Sequence, residues 1–213
     1  RDSKVQNFIY AASSSTYGDH KALPKREDTI GKPLSPYAIT KYVNELYAEI
    51  FFKSYNFNSI GLRYFNVFGK RQSPNGAYAA VIPKWLASIV NNQSVQINGD
   101  GSTSRDFCYV DNAVQANILA ACTTNKKALN QIYNIALGDK TSLKDLFNVI
   151  HQEVLKHKII ETIPPQYQDF REGDVKHSQA DISKAKKLLG YRPTHKIHLG
   201  IKELVSWHIN NFK

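Results

Sequence analysis

The stretch SPYAITK, residues 35–41, decides how this chain folds around its candidate chemistry. Ser35 is a good N-cap and Pro36 suits the first position of a helix. Apolar residues recur at helical spacing as far as Ile50, so we predict a helix that begins here and fades near residues 56–58. Tyr37 and Lys41 are four residues apart and therefore share one helix face. Because a nearby cation favours phenolate and lowers the pKa of a tyrosine, this pair is suited to move a proton.

A run of hydroxyl side chains precedes this helix, in ASSSTYG at residues 12–18. It follows the apolar residues 5–12, which predict a buried parallel strand. The hydroxyls of Ser13, Ser14 and Ser15 therefore stand at a strand end, where they could complete a proton relay with Tyr37. A Tyr-x-x-x-Lys pair alone is often only packing, and the serine-rich strand end upstream is what favours catalysis.

The rest of the chain alternates strands with helices, which is typical of the α/β class. Residues 19–34 and 69–76 are polar and rich in turn-forming residues, so we expect loops there, the first of them over the site. Further strands are predicted at 59–66, 94–98, 106–110 and 132–136, and further helices at 79–91, 111–121, 141–157, 181–189 and 199–212.

The composition of the chain limits its partners. The net charge is +10, from 28 basic and 18 acidic residues, but the lysines are scattered and not interleaved with aromatic residues, which argues against nucleic acid. No apolar run has the length of a membrane span, and no signal peptide is visible. Cys108 and Cys122 lack metal-like spacing, so we expect reduced cysteines in a cytoplasmic protein. The histidines do not cluster along the sequence, and we assign no metal.

Five motifs in order carry a resemblance to a known family: ASSSTYG, SPYAITK, RYFNVFG at residues 63–69, SRDF at 104–107 and REGD at 171–174. The chain resembles the extended short-chain dehydrogenase/reductase family, in particular its nucleotide-sugar 4-epimerases, and within these the bacterial UDP-N-acetylglucosamine 4-epimerases. The resemblance covers nearly the whole chain and implies NAD as cofactor, a UDP-sugar as substrate and a homodimer.

The resemblance also implies the architecture, which is the C-terminal part of a Rossmann-type doubly wound parallel sheet with a smaller interleaved α/β substrate domain. Residues 1–69 and 106–137 would belong to the dinucleotide-binding domain, and residues 70–105 and 138–213 to the UDP-sugar domain. No Gly-x-Gly-x-x-Gly or Gly-x-x-Gly-x-x-Gly is present in the sequence. We therefore expect the chain to be the C-terminal part of a larger enzyme, and expect it in isolation to be inactive and to bind no NAD with useful affinity.

Residue roles follow from the matched motifs. By resemblance, Tyr37 is the base and acid, Lys41 also contacts the nicotinamide ribose, and Ser13 hydrogen-bonds O4 of the sugar. The residues expected to border the nicotinamide are Tyr64 and Phe65. Those expected at the substrate are Ser14, Ser15, Asn66, Val81, Gln96, Asn98, Arg105, Arg171, Asp174 and Ser178. Among these, Arg105 and Arg171 match the diphosphate by guanidinium geometry, Asn66 also contacts it, Asp174 faces the ribose, and Val81, Gln96 and Asn98 flank the uracil.

Three positions narrow the expected reaction and its substrate. Dehydratases of the family carry acidic residues at the positions of Ser14 and Ser15, and two serines cannot act as general acids at neutral pH. Epimerases restricted to glucose and galactose carry a tyrosine at the position of Ser178, and serine leaves room for a 2-acetamido group.

We therefore predict NAD-dependent 4-epimerisation of a UDP-N-acetylhexosamine (UDP-GlcNAc/UDP-GalNAc) through a transient 4-keto sugar, in surface polysaccharide biosynthesis. The alternatives are a UDP-glucose/UDP-galactose 4-epimerase, a related decarboxylase or reductase, and a non-catalytic sugar-nucleotide-binding fragment.

Overall fold

A computed structural model of the chain describes residues 1–75, 80–170 and 175–211. Strands and helices alternate in it, which confirms the α/β class. The helices are α1 (Pro36–Tyr55), α2 (Val81–Val90), α3 (Val110–Cys122), α4 (Leu143–Leu155), α5 (Ser183–Leu189) and α6 (Ile197–Asn211), with short 3₁₀ helices at Ser14–Tyr17 and Lys126–Ala128. The strands are β1 (Phe8–Ser13), β2 (Ser59–Tyr64), β3 (Val67–Phe68), β4 (Gln96–Asn98), β5 (Ser104–Arg105), β6 (Cys108–Tyr109), β7 (Gln131–Ile135), β8 (Thr141–Ser142) and β9 (Gln166–Gln168).

The main sheet is parallel and has the order β1-β2-β7. The central strand β2 is buried along most of its length, as its unbroken apolar pattern predicts. The expectation of a buried strand is wrong for most of β1. Among the described residues β1 has a neighbour on one side only, and its side chains become buried only at Ala12 and Ser13, the end that leads into the site.

Three two-stranded ladders lie beyond the main sheet, and they bring distant segments together. β3 pairs with β6 and β4 pairs with β9, both parallel, whereas β5 pairs with β8 antiparallel. Isolated bridges join Lys25 to Ala180 and Ser104 to His177. The strand β9 was not predicted from the sequence, because its three residues are exposed and carry no apolar alternation.

Two apolar clusters form the core. One lies around the main sheet, where Leu62 of β2 packs with Ala116 of α3 and Ala185 of α5. The other joins α2, α4 and α6 through residues such as Leu86, Ile150 and Ile201. The residues near α5 pack in the sheet cluster although they fall in the segment 138–213, so the predicted division into two interleaved domains stays a prediction.

A buried ion pair fixes α1 against the sheet. Arg63 of β2 donates from Nε and Nη2 to the two carboxylate oxygens of Glu45, at 2.8 and 2.7 Å, and both side chains are 3% exposed. Separating the two side chains would leave each of them as an uncompensated buried charge. The pair therefore favours the orientation of α1 over β2 in which the two side chains meet. Over the described ranges, no helix combines the length and the apolar character that a membrane span requires.

Candidate active site

A cavity of about 340 Å³ lies at the carboxyl ends of β1 and β2. Open α/β sheets bind their ligands at this edge. Among the residues predicted for the substrate, those that line the cavity are Ser13, Ser14, Ser15, Asn66, Arg105 and Ser178. The lining is completed by residues that were not predicted: Tyr17, Gly18, Lys25, Leu34, Ser35, Ala38 and Val175.

The serine-rich strand end forms a small hydroxyl network. Ser13 is the last residue of β1 and the N-cap of the 3₁₀ helix Ser14–Tyr17, and its Oγ accepts from the peptide N–H of Ser15 at 3.2 Å. The hydroxyl of Ser15 donates to the same oxygen at 2.9 Å. Thr16 donates its hydroxyl to the Ser13 carbonyl at 2.7 Å. The Ser13 hydroxyl is therefore held at the floor of the cavity by its neighbours, with its own proton available to a ligand.

Tyr37 and Lys41 lie on one face at the start of α1, as their spacing predicts. Ser35 caps the helix, since its Oγ accepts from the peptide N–H of Ala38 at 3.1 Å. The Lys41 Nζ lies 5.8 Å from the centre of the Tyr37 ring and donates to the Ala11 carbonyl of β1 at 3.2 Å. Tyr37 is 57% exposed and stands beside the cavity, between the lining residues Ser35 and Ala38.

The opposite side of the cavity is assembled from separate segments. Asn66, two residues after the end of β2, has a positive φ of 34° and donates its amide to the Asp106 carbonyl at 2.9 Å. The Arg105 guanidinium donates to the carbonyls of Ser104 and Lys176, at 3.0 and 3.3 Å. The peptide N–H of Ser178 donates to the same Ser104 carbonyl at 3.0 Å. Arg105 and Ser178 thus share one backbone anchor.

Asp106 holds this side of the cavity together. Its carboxylate, which has no exposed surface, accepts from the peptide N–H groups of Leu137, Gly138 and Ala180 at 2.9, 3.1 and 3.1 Å. Burial raises the pKa of Asp106 to about 7, and the three N–H donors oppose that rise. In the SRDF motif, Arg105 therefore lines the cavity, and Asp106 holds the backbone of three nearby residues in place.

Three aromatic residues near the carboxyl ends of β1 and β2 are buried or partly buried: Tyr17, Tyr64 and Phe65. Tyr64 donates its hydroxyl to Asn117 of α3 at 2.9 Å, and burial raises its pKa. Phe65 is fully buried against Tyr17, with ring centres 5.9 Å apart. The Tyr17 hydroxyl donates to Asn134 at 2.7 Å, and burial raises its pKa to about 12. The predicted roles of Tyr64 and Phe65 beside the nicotinamide stay predictions, and the burial of Phe65 favours a core role.

Other predicted residues do not reach the cavity. Val81 packs against the α2–α4–α6 cluster, and Gln96 and Asn98 are exposed on β4 on either side of buried Ile97; none of these residues lines it. Arg171 and Asp174 lie outside the described residues.

Lys25 is the main lining residue that sequence reasoning missed. It lies in the predicted loop 19–34, where a lysine is ordinarily solvated, yet only 2% of it is exposed. Its burial comes from the bridge to Ala180, which is distant in sequence. No local signal in the sequence marks that pairing.

Sequence spacing also missed a cluster away from the cavity. The ligand atoms of Asp111, His195 and Glu203 lie within 4.8 Å of one another, although the sequence offered no third ligand for His195. Lys70 pairs with Glu203 at 2.8 Å, and Tyr109 donates to the same carboxylate at 3.1 Å. Because these donors already occupy Glu203, we assign no metal to the cluster.

The residues at the start of α1 fit the reactive end of a nicotinamide cofactor. Tyr37 is exposed, and the Lys41 ammonium contacts both the Tyr37 ring and the Ala11 carbonyl of β1, two residues before Ser13. The pyrophosphate of such a cofactor needs a glycine-rich turn before a helix N-terminus, and the sequence holds no such motif. The chain therefore fits the nicotinamide end of the cofactor.

Comparison with known proteins gives the family of the chain. Residues 1–136 match the NAD dependent epimerase/dehydratase family, and the chain belongs to that family. NAD is the cofactor that the family uses.

Three relatives illustrate the range within the family. A UDP-N-acetylglucosamine 4-epimerase of Methanobrevibacter ruminantium M1, solved in complex with UDP-N-acetylmuramic acid, is 40% identical with a TM-score of 0.88 over 97% of this chain. A UDP-glucose 4-epimerase of Thermotoga maritima, solved with UDP-glucose, is 34% identical with a TM-score of 0.89 over 100% of this chain. A UDP-glucuronate 4-epimerase of Thermodesulfobacterium geofontis is 32% identical over 214 residues and 100% of this chain. The chain spans 64%, 66% and 62% of these three proteins, respectively.

Proposed function

We propose that this chain supplies the substrate-binding and proton-transferring part of an NAD-dependent UDP-N-acetylhexosamine 4-epimerase. The observation that carries the proposal is a cavity that joins Ser13 and the start of α1, the helix that holds Tyr37 and Lys41, to Arg105 and Ser178. A proton relay and a phosphate-matching cation meet there at the edge where α/β sheets bind ligands. The whole protein is the natural protein that contains this chain.

The residues of the chain act on the O4 proton and on the position of the sugar. Tyr37 takes the proton from O4 and later returns it, while the nearby Lys41 ammonium favours the phenolate. Ser13 holds O4 by a hydrogen bond, and Arg105 positions the diphosphate. NAD, held at its nicotinamide end near Tyr37 and Lys41, would supply the acceptor and donor of the C4 hydride.

The preference for an N-acetylated sugar rests on Ser178. Its short side chain lines the cavity and leaves volume that a tyrosine would fill. Its hydroxyl could donate to an acetamido carbonyl. UDP-glucose and UDP-galactose, which lack this group, would leave part of the cavity empty.

We also propose that the whole protein is a cytoplasmic homodimer that serves polysaccharide biosynthesis. Support for the dimer comes from apolar side chains exposed along α1, which include Ile39, Leu46, Tyr47 and Ile50. Light scattering on the whole protein would test the dimer, and a monomeric mass would contradict it.

The direct test is an NMR assay of the whole protein with NAD. We expect UDP-GlcNAc to be converted to an equilibrium mixture with UDP-GalNAc, at a higher kcat/KM than UDP-glucose. Turnover of UDP-glucose alone would favour the UDP-glucose/UDP-galactose alternative. Binding of both sugars without turnover would favour the non-catalytic fragment.

A further inference from the structure

The substrate cavity continues into a second cavity of about 380 Å³. The two cavities share Gly18, Lys25, Leu34 and Val175 in their linings. The second cavity, called the basic pocket here, is also lined by Asp19, His20, Lys21, Leu23, Lys176 and His177. Among the described residues of its lining, three lysines (Lys21, Lys25 and Lys176) stand with one carboxylate, Asp19, which already accepts from the peptide N–H of Lys32 at 2.7 Å.

Lys25 stands where the two cavities meet. Its Nζ donates to the His20 carbonyl, and no carboxylate within the described ranges forms an ion pair with it. Burial lowers the pKa of this ammonium. A buried cation without an anionic partner is costly, because its hydration has been lost and no opposite charge replaces it. A ligand that brings a negative charge would remove that cost.

The backbone around Lys25 is fixed. Its peptide N–H donates to the Gln179 carbonyl at 2.7 Å, and its carbonyl accepts from the peptide N–H of Asp181 at 2.9 Å. The Asn134 side chain donates to the same carbonyl at 2.9 Å. The backbone of Lys25 is therefore held against residues 179–181, which follow Ser178 in the sequence. A binding group needs such a fixed backbone to keep its side chain in position.

His20 supplies a second, independent sign of a ligand. Its Nδ1 is a buried polar atom with no hydrogen-bond partner among the residues that the structure describes. Buried polar atoms are nearly always satisfied, and an orphaned one needs an explanation. In the basic pocket an imidazole N–H can donate to the same anion that Lys25 would bind.

We propose that the basic pocket binds an acidic substituent on the sugar ring of the substrate, with Lys25 as the residue that selects for a carboxylate. This inference rests on the proposed function, and it extends the proposed substrates to UDP-sugars whose hexose carries a carboxylate. Arg105 lines only the main cavity and is assigned to the diphosphate. Lys25 lines both cavities, and we assign it to the sugar end of the substrate.

The test compares matched neutral and carboxylated ligands by calorimetry on the whole protein. The pairs are UDP-GlcNAc with UDP-N-acetylmuramic acid, and UDP-glucose with UDP-glucuronic acid, which place the carboxylate at different ring positions. We expect wild type to bind the carboxylated member of at least one pair about 10-fold or more tightly, the size of a charge-assisted hydrogen bond. Lys25→Met should remove that preference, so that the two members of each pair bind with similar affinity.

Two further variants separate the role of the pocket from general effects. Lys32→Met removes an exposed lysine of the same loop, outside the basic pocket, and should keep the preference. Lys176→Glu reverses an exposed charge at the rim, so it tests the pocket even if Lys25→Met fails to fold, and it should also weaken the carboxylated ligand selectively.

The outcomes distinguish this inference from the proposed function. If wild type shows no preference, or if the lysine variants weaken both members of a pair alike, the basic pocket does not select a carboxylate. Epimerisation of UDP-GlcNAc together with such a result would leave the proposed function intact. A preference that depends on Lys25, in a protein that epimerises no UDP-sugar, would uphold the pocket and contradict the proposed function. Failure to bind any of the four ligands would contradict both.

Discussion

The two walls of the substrate cavity are built in different ways. The first wall comes from one continuous stretch, residues 13–38, in which a strand end, a 3₁₀ helix and the start of α1 follow one another. The second wall takes Asn66, Arg105, Val175 and Ser178 from separate segments. Local hydrogen bonds such as that from the Ala38 peptide to Ser35 form the first wall, whereas contacts between distant segments through Asp106 form the second.

In the proposed function, the first wall carries the groups for proton transfer, and the second wall carries the groups that position and select the substrate. Spacing along the chain puts Tyr37 and Lys41 on one helix face, and the Arg63–Glu45 pair and the bond from Lys41 to Ala11 hold that helix against the sheet. The groups that position the diphosphate and the sugar depend on three segments being joined correctly. Changes in the first wall should therefore affect turnover, and changes in the second should affect stability and substrate preference.

The largest expected effect is on the chemistry of the first wall. Tyr37→Phe in the whole protein removes the proton-transferring hydroxyl, which should lower kcat by a factor on the order of 10² to 10⁴ and leave UDP-sugar binding nearly intact. The matched control is Tyr47→Phe, an exposed tyrosine on the same helix, which should keep normal turnover. Near-normal kcat in purified Tyr37→Phe would exclude this residue as the base.

The next largest effect is expected from the anchor of the second wall. Asp106→Ala leaves three peptide N–H groups without their acceptor, at about 1–3 kcal/mol for each buried group. We expect the free energy of unfolding in denaturant to fall by about 3 kcal/mol or more. Asp28→Ala, at an exposed position, is the control and should change it by about 0.5 kcal/mol or less. A loss under about 1 kcal/mol for Asp106→Ala would show that the second wall does not depend on this anchor.

A smaller effect is expected on sugar preference. Ser178→Tyr should overpack the cavity for an acetamido group at a cost of about 1–3 kcal/mol, a loss of roughly 5- to 150-fold in kcat/KM for UDP-GlcNAc and UDP-GalNAc. Activity on UDP-glucose and UDP-galactose should be kept or raised. Ser178→Ala, which keeps the volume and removes the hydroxyl, separates size from hydrogen bonding. An unchanged ratio between the substrate pairs in Ser178→Tyr would mean that Ser178 does not set the preference.

The smallest effect concerns how the first wall is held in place. Ser35→Ala removes the cap of α1, and the free energy of unfolding should fall by about 1 kcal/mol. Ser54→Ala, an exposed serine near the end of the same helix, is the matched control and should have little effect. Equal stability of the two variants would show that the cap does not hold the start of α1.

The same difference explains what the sequence could predict. The cap at Ser35, the shared face of Tyr37 and Lys41, and the serines at the end of β1 are local, and the structure places them as predicted. Lys25 could not be found, because its burial depends on pairing with a distant segment.

Residues outside the first wall were harder to place for the same reason. Gln96 and Asn98 were predicted at the substrate, and they lie on β4, away from the cavity, opposite the unpredicted strand β9. The cluster of Asp111, His195 and Glu203 could not be predicted from the sequence either, because Asp111 is on α3 and Glu203 is on α6.

The central claim is that the two walls together carry out 4-epimerisation in which the hydrogen removed from C4 returns to C4. The most direct measurement is ¹H NMR of the UDP-GalNAc formed from UDP-GlcNAc by the whole protein with NAD in D₂O. We predict product that keeps protium at C4, because the solvent exchanges only with the proton that Tyr37 moves on and off O4. Deuterium at C4, or the absence of UDP-GalNAc, would contradict the claim.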